Sequence, residues 1–171
     1  MKTKEFLKRH DACIEGAKWA LSISKDMVDV WDAMIEHGKH EWLVWTATRP
    51  GVFSDSILRK LACRFIRETP IADGRKVWDL LTDERSRKAV EVAELYADGK
   101  ATAQELAAAD DAAYDAFAAR AAAYAATRDA ADRDAAYDAF AARAAAYAAA
   151  KAAQVRMIAK LGNPFKERTG R

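Results

Sequence analysis

The stretch DAAYDAFAARAAAYAA occurs twice, at 111–126 and 134–149, without a single difference. Around it, from Ala101 to Ala153, 30 of 53 residues are alanine, and Leu106 is the only Leu, Ile or Val. Alanine has the best helix propensity of any residue, yet burying its methyl group gains little. The segment therefore predicts helix and leaves its packing to six aromatics. These are Tyr114, Phe117 and Tyr124 in the first copy, and Tyr137, Phe140 and Tyr147 in the second. Within each copy they stand at i, i+3 and i+10, a spacing compatible with a heptad seam.

The copies are offset by 23 residues. On a straight helix that offset turns the second copy about 140° from the first, so the two cannot share one seam. Either the segment folds back near 127–133 as a hairpin, or it runs on as one long helix whose seams meet different partners or a second protomer. The connection TRDAADRD holds no Gly or Pro, which favours continuity. An unbroken helix from Ala103 to Lys160 would be about 87 Å long, too long for a compact domain of this size. The balance favours a break or hairpin. Thr102-Ala-Gln-Glu105 is a capping box that starts the segment, and Gly162-Asn163-Pro164 stops it.

Before the repeat the chain reads as a series of conventional helices. Residues 4–23 carry Phe6, Leu7, His10, Cys13, Ile14, Ala17, Ala20 and Leu21 on one apolar stripe, as one helix would. Trp19 points away from that stripe, towards a neighbouring helix or solvent. Residues 26–37 form a second helix closed by Gly38. The run Glu41–Thr48 is apolar on all sides and is assigned to helix, because no partner strand is visible in the chain. A clear helical period follows through Ile57, Leu58, Leu61, Ala62, Phe65 and Ile66. A short helix spans Val77 to Leu81, and another spans Glu84 to Ala97 with Thr82 or Asp83 as its cap. The expected fold is all-α: a multi-helix N-terminal domain over 1–100, an alanine-rich helical hairpin or long helix over 101–161, and a basic, solvated tail over 162–171.

The 171 residues carry a net charge of +2, which argues against both an acidic nucleic-acid mimic and a basic DNA-coating protein. The balance conceals an uneven distribution. Residues 101–150 sum to −4 and residues 151–171 to +5. Lys160, Lys166, Arg168 and Arg171 in that basic end are candidate anion contacts, although no helix-turn-helix, RNA-binding or zinc signature accompanies them. The N-terminal residues lack the apolar run of a signal peptide, and no stretch is long and apolar enough for a membrane span. Cys13 and Cys63 lie in apolar helical patterns and read as buried thiols of a reducing, cytoplasmic compartment.

Chemistry is sparsely signalled. Glycine-rich phosphate loops and nucleophile motifs are absent. His37, His40 and Glu41 are the nearest approach to a metal-ligand set, but Gly38 stands at a helix end between them, and a solvated loop is the expectation. His10, inside an apolar stripe, reads as a partly buried histidine. The aspartates of the repeat, with arginines nearby, read as a solubilising face. No catalytic residue, metal or cofactor is assigned.

The order of features resembles a known family. Cys13-Ile-Glu-Gly-Ala-Lys-Trp19 is followed by Glu41-Trp-Leu-Val-Trp45 and Leu61-Ala-Cys-Arg64. Then come Ala89-Val-Glu-Val-Ala-Glu-Leu-Tyr-Ala-Asp-Gly99, Ala101-Thr-Ala-Gln-Glu-Leu106, the alanine and tyrosine repeat and a closing helix. Over most of its length the chain resembles the Imm-5-like immunity proteins of bacteria and their phages. The resemblance implies an all-helical cytosolic protein that neutralises a toxin or defence effector by binding, with no catalytic residues to carry over. A phage-borne member would equally serve against host defence, as an anti-CRISPR protein does. The repeat aromatics and Trp19 are then the candidate contacts, with a partner or with a second copy through 101–160. A structural or oligomerisation module built on the repeat is the alternative, and a weak nucleic-acid contact through the basic end is a further one.

Overall fold

A computed structural model of the chain describes residues 1–71, 74–114 and 149–166. The described residues are all-α. They contain six α-helices, a 3₁₀ turn at Val77–Leu80, and further helix through residues 103–114 and 149–159. The only extended pairings among them are two isolated bridges, Lys2 with Asp26 and Pro70 with Lys76.

The helices are α1 (Thr3–Arg9), α2 (Ile14–Ile23), α3 (Met27–Glu36), α4 (His40–Ala47), α5 (Asp55–Glu68) and α6 (Glu84–Ala97). Local chemistry sets several of their ends. Asp26 accepts from the Val28 amide at the start of α3, and Asp83 accepts from the Arg85 amide at the start of α6. Each satisfies a donor that the first turn leaves free. Gly38, with φ +59°, ends α3 in a left-handed conformation that few other residues adopt. The capping box also forms: the Glu105 amide donates to Thr102 Oγ1 at 3.2 Å, and the Thr102 amide donates to the Glu105 carboxylate at 2.7 Å.

The single helix expected over 4–23 is two helices. Asp11 takes φ +50°, a left-handed geometry that aspartate tolerates better than most side chains. The chain turns there, and Cys13 caps α2 by accepting from the Gly16 amide at 3.4 Å. The break shifts the register of the apolar stripe. Ile14 and Leu21, expected inside, are 76% and 48% exposed. Cys13, expected to be buried, is exposed, whereas Cys63 is buried as anticipated.

The chain divides into two compact units: Met1–Ser54 together with the segment from Lys151 onward, and Asp55–Ala150. The division expected from the sequence lay after residue 100. The residues from Lys151 onward belong to the first unit. Ile158 and Phe165 are fully buried, and Ala153, Val155 and Met157 nearly so. Phe165 meets Phe6 edge-on with ring centroids 5.5 Å apart, and it meets Trp31 at 6.0 Å. The tail expected over 162–171 is therefore anchored as far as the described residues reach. Asn163 donates to the Val28 carbonyl at 2.9 Å and to Asp32 at 2.8 Å.

The second unit is built on α5 against α6. Leu61, Cys63, Val90 and Val92 are buried there. Arg67 makes two hydrogen bonds to the Glu94 carboxylate, at 2.6 and 2.7 Å, and its guanidinium lies 4.1 Å from the Trp78 ring. A bidentate arginine that also stacks on an aromatic ring fixes two helices and the 3₁₀ turn with one side chain. Whether the repeat is a hairpin or one helix lies outside the described residues.

Candidate binding site

Helices α1 to α4 of the first unit enclose an apolar pocket of about 230 Å³. The break at Asp11 sets its mouth, because Ala12 and Cys13 of the α1–α2 link both line it. From α2 come Gly16, Trp19 and Ala20, and from α3 come Met27, Val30 and Met34. Helix α4 supplies Trp42, Trp45 and Thr46, with Glu41 as the one charged lining residue. Gly16 matters here for space. A Cβ on it would stand 3.2 Å from Cys13 Sγ and 3.5 Å from Trp42 Nε1, so a larger residue would press on both.

Three indoles shape the walls. Trp19 and Trp42 lie tilted with centroids 5.1 Å apart, and Lys39 places its ammonium 5.0 Å from the Trp42 centroid and 5.7 Å from that of Trp19. Trp45 meets Phe6 edge-on and carries the Arg49 guanidinium 4.9 Å from its centroid. A cation over a ring face is attracted by the ring quadrupole, so all three indoles are held by charges from the chain itself. Glu41 is neutralised locally: Lys151 bonds to it, and that hydrogen bond holds the Glu41 carboxyl below its ordinary range. The pocket wall is thus apolar and without net charge. Thr46 is buried, and its hydroxyl donates only to Met34 Sδ at 3.8 Å, a weak acceptor.

No family model matches the chain, and neither does any curated protein or solved structure.

The residues singled out from sequence are scattered. Trp19 is half-buried in the pocket wall, so it meets a neighbouring helix. Tyr114 is 73% exposed at the end of the helical residues 103–114. Phe117, Tyr124, Tyr137, Phe140 and Tyr147 lie outside the described residues, as do Arg168 and Arg171. Lys160 is exposed, whereas Lys166 pairs with Asp32 at 3.0 Å. Lys166 is therefore matched to a carboxylate in the structure.

The His37, His40 and Glu41 set does not converge, and His40 is not in a solvated loop. His40 opens α4, and its Nε2 lies 2.6 Å from Gln154 Oε1. His37 stands edge-on to Trp19 at 6.2 Å. Among the described residues no group of three His, Cys, Asp or Glu could hold a metal ion. No helix among them is long and apolar enough to cross a membrane. His10 is partly buried as expected, 4.6 Å from Phe6, and burial lowers its pKa.

Sequence reasoning missed the pocket. The signal was present in Glu41-Trp-Leu-Val-Trp-Thr46, a short helix apolar on all sides. Such a helix must be covered on every face or border a cavity.

Proposed function

We propose that this chain is a non-enzymatic binding protein that blocks a toxin or a defence effector, in the manner of an immunity protein. In a phage-borne setting the same activity would be anti-defence. One observation carries the reading. Helix α2 turns two large aliphatic side chains to solvent, Ile14 at 76% and Leu21 at 48% exposure. Seven residues apart, they lie on one helix face. Exposed apolar residues sharing a face mark interaction sites more often than isolated ones do. The resemblance to the Imm-5-like immunity proteins points the same way.

The test is affinity capture in the native host, with and without phage infection, using the native chain and an Ile14→Arg, Leu21→Arg variant. The expected result is one stoichiometric effector, inhibited by the native chain and lost from the variant while the thermal midpoint is retained. Capture unaffected by the double substitution would discard α2 as the contact face. Absence of any stoichiometric partner would discard the reading.

A second reading, self-association through 101–160, is favoured by the exposure of Tyr114. Light scattering of the full chain would show a concentration-dependent mass that falls on Tyr114→Ser substitution.

A further inference from the structure

We infer that the pocket of the first unit is a binding site for a small, neutral, fused-ring aromatic molecule bearing one hydrogen-bond acceptor. The inference goes beyond partner binding, because Ile14 and Leu21 do not line the pocket. It starts from volume. A dry apolar cavity of about 150 Å³ takes a single benzene ring. At about 230 Å³, this pocket has room for two fused rings.

The walls then define the chemistry. Trp19, Trp42 and Trp45 present ring surface, and Met34 supplies a polarizable sulphur suited to an aromatic edge. Glu41 is the one charged lining residue, and Lys151 holds its carboxylate, so the lining itself offers an ionised ligand no unpaired charge. Burying an unpaired charge in such walls would be costly.

The acceptor follows from Thr46. Its side chain is 3% exposed, and its hydroxyl is directed at the Met34 thioether, 3.8 Å away. A buried hydroxyl donating to sulphur makes a poor hydrogen bond. A nitrogen or carbonyl oxygen on the ligand would replace that contact with a normal one. The site therefore distinguishes between two molecules of the same shape, one with an acceptor and one without.

Quinoline and naphthalene form such a pair, and both are neutral at pH 7.5. Ligand-observed NMR titration of the full chain measures both. Quinoline should bind with a dissociation constant on the order of 0.1 mM and roughly threefold to tenfold more tightly than naphthalene. Thr46→Val, which keeps the shape and removes the donor, should bring the two affinities together. Thr46→Ser should keep them apart, and circular dichroism melting establishes that both variants fold. Equal affinity for both probes in the native chain would overturn the inference, as would failure of both to bind. Tighter binding of N-acetyltryptophanamide than of quinoline would also overturn it, in favour of a partner's side chain as the occupant.

Discussion

His10 is a side chain whose charge the fold opposes. It packs on Phe6, and burial, followed by the nearby Arg9 and Arg49, lowers its pKa below 6.5, against an opposing pull from Asp11. Below pH 6.5 the unfolded chain takes up the proton before the folded one does. Stability should therefore fall as pH drops through 6.5 and level off once the folded imidazole is also charged. A series of thermal midpoints from pH 8 to 5.5 should show this decline, and His10→Asn should flatten it. Glu41 and Asp26 act in a lower window. Their carboxyls are held down by Lys151 and by the Val28 amide respectively, so the stability they add is lost as pH falls below the ordinary carboxylate range. The partial burial of His10 was legible from its place in an apolar stripe. The exposure of Cys13 was not, because the same stripe carried it inward on paper. Only the turn at Asp11 takes it out.

Helices with a strong start or stop were the most readable elements. Helix α3 begins at Met27 after the Asp26 cap and finishes before Gly38, and α6 spans Glu84–Ala97 as its cap and period require. The helix after Thr102 has a measurable start. Thr102→Ala removes the hydroxyl that accepts from the Glu105 amide. It should cost ~1 kcal/mol of local stability, seen as roughly fivefold faster amide exchange at Glu105. Unchanged exchange there would mean that the cap is not holding the first turn. The failure over 4–23 has a definite cause. Apolar periodicity reports which residues share a face, but it cannot register one residue with positive φ, and Asp11 is a rarer choice for that geometry than glycine. The size of the pocket was unreadable for a related reason. Its volume depends on how four helices are spaced, and no one of their sequences carries that.

At the scale of the molecule, the first unit draws on two segments separated by residues 55–150. The sequence suggested otherwise because alanine surrounds the closing helix and obscures its few large side chains. Val155, Met157, Ile158 and Phe165 are the ones that count, and all four are buried. Phe165→Ala should destabilise the first unit by ~3–5 kcal/mol, measured by urea unfolding followed through tryptophan fluorescence. A loss below ~1 kcal/mol would show that the contact with Phe6 and Trp31 adds little. This arrangement also sets a timetable. Helices α1 to α4 are translated first, and the side chains that complete their core follow only after 96 intervening residues. At about 5–20 residues per second, a nascent chain spends roughly 5–20 s with Phe6 and Trp31 lacking the Phe165 ring. The first unit can thus be completed only after the segment from Lys151 has been made, and a ribosome that stalls within the repeat would hold it open for as long as the stall lasts.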